Sequence, residues 1–297
     1  MRVGVTFLVA VLAAGCCSAG AAGAAGIEVI DDNGRAISLA QPARRVITLT
    51  PHVTEMIYAA GAGQRIVATV TASDFPPEAR ALARIGDGLQ PDPEKVAAYK
   101  PDLVVGWLPS QADALEVLDV PVFISAPRLL DDIPDSIETF GVLLGTPDVA
   151  RARADDLRRK LEALAPGAAP PQSKPVRVFV QSGSEPDYTL GADHILTDVI
   201  ALCGGVNVFA DSPMAAPRVS PEGVLAAAPE VVIVGRPGTS AGSPDPAALE
   251  YWKSLGLPAA LAGRVYMFDA DTIYRPGPRL IDAAAHVCRV IRQARKP

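Results

Sequence analysis

The chain holds three histidines and four cysteines, a small stock for catalytic or metal chemistry. His52 follows a β-branched run in Thr50-Pro51-His52-Val53-Thr54-Glu55, at a loop-to-helix junction. There it could ligate a metal, hydrogen-bond an amide or cap the helix. His194 stands near a helix start beside Asp193 and reads as a surface position; His286, two residues before Cys288, reads as packed or solvated in a C-terminal helix. Gln181-Ser182-Gly183-Ser184 follows a strand but lacks the leading glycine of a nucleophile elbow, which argues against an α/β hydrolase. Ala60-Gly61-Ala62-Gly63 falls between helix and strand, the wrong order for a dinucleotide turn, and reads as a left-handed helix cap. No phosphate loop, His-x-x-x-His or paired-cysteine spacing occurs, so no metal site and no resident cofactor are expected. Aromatics make up only 5% of the chain, so each one at a loop tip is informative.

The elements that must position these groups alternate. β-Branched runs at Val46–Leu49, Ile66–Val70, Leu103–Val105 and Val122–Ile124, then Val176–Val180, Val231–Val234 and Val265–Phe268, predict strands. Between them, Thr54–Ala60, Asp92–Tyr99, Ala112–Leu118, Ile133–Leu144, His194–Ala201, Pro221–Ala227 and Pro278–Ala294 predict helices. That is the pattern of parallel sheets with helical crossovers. A charged helical stretch from Pro147 ends at Pro166, with Thr146-Pro147-Asp148 as its start signal. The expected organisation is a leader (1–26), a first lobe (27–146), one linker helix (147–166) and a second lobe (167–297). A single helix is a stiff coupling that permits small rocking of the lobes.

An internal repeat supports the division. Pro93-Glu94-Lys95-Val96 through Pro101-Asp102-Leu103-Val104-Val105-Gly106 matches Pro221-Glu222-Gly223-Val224 through Pro229-Glu230-Val231-Val232-Ile233-Val234-Gly235. A generic helix-to-strand unit could produce such a match by chance. If it is a true repeat, Glu94 and Glu222 are equivalent exposed acids, suited to a partner that is itself a symmetric dimer.

Bulk charge narrows the class. A net charge of -6 and a pI near 5.2 exclude a nucleic-acid binder. Arg2 and the apolar run Val3 to Ala14 read as an export signal. Either Ala13-Ala14-Gly15-Cys16 is a lipoprotein box that anchors the chain through Cys16, or cleavage in the Ala/Gly tract frees it. In an oxidising compartment Cys203 and Cys288 favour one disulfide, a pair of buried thiols being the alternative.

Several motifs carry a family resemblance: Arg45-Val46-Ile47-Thr48-Leu49-Thr50-Pro51-His52, Ser73-Asp74-Phe75-Pro76-Pro77, Lys100-Pro101-Asp102-Leu103-Val104, Leu202-Cys203-Gly204-Gly205, Arg218-Val219-Ser220-Pro221-Glu222 and Arg275-Pro276-Gly277-Pro278-Arg279. On these the chain resembles the periplasmic cobalamin-binding proteins of bacterial ABC importers, from about Ile27 to Arg295. Those proteins belong to a wider group of receptors that also take up haem and ferric siderophores. The resemblance implies an α/β fold of two Rossmann-like lobes with parallel sheets joined by one long α-helix, the class III periplasmic solute-binding architecture. It implies a monomer without catalytic activity that carries cobalamin, or a related corrinoid, to a dimeric ABC permease in the inner membrane. Phe75 would offer its face to the corrin and Tyr188 a second aromatic. Asp271, Thr272, Ile273, Tyr274 and Arg275 would line the opposite wall, with Asp271 and Arg275 bonding ligand amides or each other. His52 and Trp107 would lie on the cleft side, Glu94 and Glu222 would meet permease arginines, and Cys203–Cys288 matches that branch's disulfide. Two departures leave haem, a ferric siderophore or a precursor such as cobinamide open: Gly86-Asp87-Gly88-Leu89 and Met214-Ala215-Ala216-Pro217 lack tryptophans that relatives carry there. An exported corrinoid-modifying or hydrolytic enzyme is the reading from a different class, and would need titratable groups clustered in the cleft.

Overall fold

The computed structural model describes residues 26–165, 174–182, 188–192 and 194–295. The leader with Cys16, most of the segment after the linker helix, Gly183-Ser184 and Asp193 lie outside the described residues. The chain opens with an antiparallel hairpin, β1 (Ile27–Ile30) and β2 (Ala36–Leu39), too short for its alternation to have been read as strand. The first lobe then arranges β3 (Val46–Thr48), β4 (Ile66–Thr69), β5 (Ala83–Arg84), β6 (Leu103–Gly106) and β7 (Val122–Ile124) in the order β5-β4-β3-β6-β7, all parallel. Its helices are α1 (Pro51–Ala59), α2 (Pro93–Ala98), α3 (Pro109–Ala114) and α4 (Asp132–Leu144). The linker is α5 (Pro147–Leu164).

The second lobe contains β8 (Val176–Ser182), α6 (Ile195–Leu202), β9 (Gly205–Asn207), α7 (Pro221–Ala227), β10 (Val231–Arg236), β11 (Ser243–Pro244), α8 (Pro246–Ser254), α9 (Pro258–Leu261), β12 (Val265–Asp269), α10 (Ala270–Ile273) and α11 (Pro278–Ala294). Its sheet order is β11-β12-β10-β8-β9. At one edge of this otherwise parallel sheet the short β11 pairs antiparallel with β12. Two residues carry no legible strand pattern. The helix expected over Ala112–Leu118 begins earlier, at Pro109, because proline occupies its first turn and Gln111 closes on the backbone N–H groups of Trp107 and Leu108.

Helix-covered parallel sheets bury both faces, so their central strands are continuously apolar. Val46, Ile47 and Leu103–Val105 are accordingly buried in the first lobe, and Val231–Val234 in the second. The linker buries Ala150, Ala154, Leu157 and Leu161 along one stripe. On its polar side Arg158 reaches Asp135 of α4 at 2.6 Å, and Lys160 reaches Asp282 of α11 at 2.7 Å. The helix thus packs on both lobes, which makes the coupling stiff. A disulfide joins Cys203, at the end of α6, to Cys288 in α11.

The repeat is structural in detail. β6 and β10 each lie beside the first main-sheet strand of their lobe, β3 and β8. Each preceding helix is followed by a residue at positive φ, Lys100 (φ 46) just past the C-cap of α2 and Ala228 (φ 44) at the C-cap of α7. Asp102 then accepts the Arg45 N–H at 2.8 Å and Glu230 the Arg177 N–H at 2.9 Å. In return the Arg45 guanidinium donates to the Lys100 carbonyl and that of Arg177 to the Ala228 carbonyl.

Candidate ligand-binding cleft

Loops at the carboxyl ends of the strands meet between the lobes around an open cleft of about 500 Å³. This is where parallel α/β sheets place ligands. Backbone packing fixes the first wall. Gln111, fully buried, accepts from the Trp107 N–H at 2.7 Å and donates to the Gly88 carbonyl at 2.8 Å, tying two cleft loops together. Gly88 has φ +87, and a Cβ there would meet the Leu49 carbonyl at 2.3 Å, so only glycine fits.

His52 sits in the first turn of α1 with only 4% of its surface exposed. Its ring stands edge-on to Trp107 with centroids 5.8 Å apart. Nε2 lies 3.4 Å from the Ser125 carbonyl. A carbonyl oxygen only accepts, so the neutral ring carries its proton on Nε2 and leaves the Nδ1 lone pair unused. Burial lowers the His52 pKa to about 4, against the opposing carbonyl and with a smaller push from the Arg275 charge. Nearby, Thr50 lines the cleft, and its hydroxyl is buried with no hydrogen-bond partner among the described residues.

The second wall corrects one expectation. His194 is not a surface position: it lines the cleft, and burial lowers its pKa to about 4. It caps α6, its Nδ1 accepting the Leu196 N–H at 3.1 Å, and its ring stands edge-on to Tyr274 with centroids 5.8 Å apart. The Tyr274 hydroxyl donates to the Gln181 carbonyl at 3.2 Å, and burial pushes its pKa up to about 12.

Charged side chains bridge the lobes beside the cleft. Arg275 contacts Asp271 at 2.6 Å, Asp74 at 3.0 Å and Glu55 at 3.7 Å. Arg279 of α11 grips the buried Glu55 of α1 with two hydrogen bonds, 2.6 and 2.9 Å. Burial raises the Glu55 carboxyl while both guanidinium groups oppose that shift. A further interlobe bond runs from the Leu130 N–H to Asp198 of α6 at 2.8 Å.

Of the residues singled out from the sequence, His52, Trp107, Tyr274 and Arg275 converge on the cleft. Others stand elsewhere. Ile273 is fully buried in the core, which contradicts a ligand contact there. Thr272 donates to Asp269 at 2.6 Å, and Asp271 is engaged by Arg275. The Phe75 ring stacks under the Arg279 guanidinium, 4.3 Å away, and borders a neighbouring hollow against α5 and α11. Tyr188 is half exposed and lies 5.7 Å from the Arg218 guanidinium. Glu94 and Glu222 occupy the same exposed position in the first turns of α2 and α7, behind the capping residues Asp92 and Ser220. Sequence reasoning missed His194, the hairpin residues Asp32 and Asn33, which also line the cleft, and the Glu55–Arg279 bridge. For His194 the signal was present. It opens the first main-sheet strand-to-helix unit of the second lobe, as His52 does in the first. The loops without tryptophan do reach the cleft, through Asp87, Leu89 and Ala215. Among the described residues no group of His, Cys, Asp or Glu is placed to hold a metal, and no helix is long and apolar enough to cross a membrane.

Two α/β lobes on a packed helix, with a polar-aromatic cleft at their strand ends, define a solute receptor of the class III type. The chain belongs to the periplasmic binding protein family, which matches residues 46–272. It is 36% identical to the vitamin B12-binding protein of Vibrio cholerae serotype O1, over 86% of this chain and 91% of that one. To a vitamin B12-binding protein of Pectobacterium carotovorum it is 34% identical, over 82% and 87%. The solved Vibrio cholerae vitamin B12-binding protein superposes with a TM-score of 0.76 at 35% identity, covering 86% of this chain and 99% of that one. The periplasmic haem-binding protein RhuT of Roseiflexus gives 0.70 at 26% identity, covering 85% and 99%.

Proposed function

We propose that this protein captures cobalamin, or a related corrinoid, in the periplasm and delivers it to a dimeric ABC permease without catalysing a reaction. The observation that carries the ligand is the 36% identity to a vitamin B12-binding protein across 86% of the chain. The cleft is consistent with it. Trp107 and Tyr274 offer aromatic rings, while the neutral His52 and Arg275 offer hydrogen bonds to the amide-bearing rim of a corrin. Asp271 would hold Arg275 in place, with Thr272 fixing the turn below. Phe75 would act from the flank through Arg279, and Tyr188 at the outer edge of the second lobe. Glu94 and Glu222 would dock the permease. The receptor would work as a monomer, soluble or anchored through Cys16.

Haem is the second reading, favoured by the likeness to a haem-binding receptor and by cleft loops without tryptophan. The deciding experiment is calorimetric titration of the mature protein with cyanocobalamin and with hemin, while Trp107 emission is followed. Cyanocobalamin should bind and quench tryptophan emission, and a Trp107→Phe variant should lose the part of that quenching that comes from the cleft, Trp252 being buried in the second lobe. Tight hemin binding with no cyanocobalamin response would replace the corrinoid reading by the haem one.

A further inference from the structure

We propose that His194 is a ligand-contacting residue of the cleft, donating its Nε2–H to an oxygen on the rim of the bound molecule, a carboxamide carbonyl in a corrinoid. The proposal deepens the cobalamin reading and rests on it for the identity of that oxygen.

The argument follows from what each ring nitrogen can do. His194 Nδ1 receives the Leu196 N–H as the cap of α6. An atom that accepts from an amide presents its lone pair and carries no proton, so in a neutral imidazole the proton sits on Nε2. The ring stays neutral at pH 7 in this setting, where burial disfavours the charged form. Among the described residues Nε2–H has no hydrogen-bond partner, yet the residue lines the cleft. Tyr274, anchored by its hydroxyl to the Gln181 carbonyl, stands edge-on at 5.8 Å and fixes the plane of the ring. A half-buried N–H held in one orientation at a binding surface is a donor waiting for an acceptor. The same tautomer excludes His194 as an axial metal ligand, because Nε2 has no lone pair to give.

His52 faces it with the opposite assignment. Its Nε2–H is used by the Ser125 carbonyl and its Nδ1 is the free atom. The two walls therefore present an acceptor and a donor, both uncharged, which suits a ligand fringed with amides.

Two substitutions separate capping from contact, since asparagine mimics Nδ1 of histidine and glutamine mimics Nε2. His194→Asn keeps a good helix cap and loses the donor: cyanocobalamin affinity should fall about tenfold with the melting temperature unchanged. His194→Gln should keep affinity within about threefold while melting a few degrees lower, as expected for a lost cap. Wild-type affinity in His194→Asn would overturn the proposal. So would equal affinity losses in both variants that track melting temperature, which would leave a helix cap only. Diaquocobinamide adds a spectroscopic arm: an absorbance shift on binding that His194→Asn abolishes would make the residue a metal ligand and refute the donor assignment. If the unaltered protein binds neither corrinoid, the cobalamin reading fails by itself. The same pair of variants is then read with hemin, whose propionates present oxygens to Nε2–H, and an unaffected His194→Asn would again refute the proposal.

Discussion

The two lobes agree at their bases and differ at their mouths. At the base, Asp102 and Glu230, Arg45 and Arg177, and the left-handed Lys100 and Ala228 repeat one hydrogen-bonded turn. At the mouth, His52 and His194 open equivalent helices but use opposite ring nitrogens. The difference teaches where duplication is constrained. A helix running into a buried strand must satisfy its last carbonyls and the strand's first N–H groups, and both copies met that demand in the same way. Loops at the strand ends carry no such requirement, so the walls were free to diverge toward one asymmetric guest.

The lobes also differ in how they are held, and this predicts the largest effect. The second lobe closes an 85-residue separation with Cys203–Cys288, whereas the described part of the first has no disulfide. On the chain-entropy account such a loop is worth about 4 kcal/mol. A Cys203→Ser, Cys288→Ser variant should lose roughly that in urea unfolding, with the second lobe melting first. A loss below about 1 kcal/mol would show that packing of α6 on α11 suffices, and that the lobes are stabilised alike.

How far these lobes were legible from the sequence follows from the same physics. The central strands announced themselves because burial on both faces demands unbroken apolar runs such as Val231–Val234. The Pro-Glu helices did so because proline and a capping residue mark first turns. β5 and β11, two residues each, have no room for a pattern. His52 and Trp107 were found because they adjoin strand ends, Tyr274 and Arg275 because the family resemblance marks their segment. His194 was misplaced because a capping histidine resembles a surface one until the opposite wall is present to bury it. Phe75 was set against the ligand by the family motif, and its stacking on Arg279, 204 positions later, has no local signal. Local pattern encodes elements; contacts between lobes have no local pattern.

An intermediate effect tests the facing histidines. Both have folded-state pKa values lowered to about 4 from an ordinary 6.5. As pH falls below about 6.5 the unfolded chain takes up protons that the folded one refuses, so stability drops between 6.5 and 4. The contribution is complete above 6.5, and a shift of that size is worth about 3 kcal/mol at most for each group, less for the partly exposed His194. Unfolding free energy measured from pH 7.5 to 4 should therefore slope downward on acidification. His52→Asn and His194→Asn should each flatten that slope by about one proton's worth. Should one variant leave the slope untouched, that wall is solvated, and the likeness between the two mouths is weaker than their geometry suggests.

The smallest effect on stability comes from the matched acids at the rims, and there the comparison of lobes is sharpest. Glu94 and Glu222 are exposed second residues of α2 and α7. At Glu222 the residue's own N–H and the Ser220 hydroxyl hold the carboxyl below its usual range. Reversing either to lysine opposes the helix dipole only weakly at so exposed a site, and neither acid lines the cleft. A Glu94→Lys, Glu222→Lys variant should therefore unfold nearly as the parent does and bind cyanocobalamin unchanged. If both rims meet a two-fold symmetric permease, ligand uptake in cells should collapse in the double variant, and each single variant should lose a similar part of it. Strongly unequal single variants would mean that only one rim docks. Duplication would then have preserved the turn beneath the two acids for folding alone.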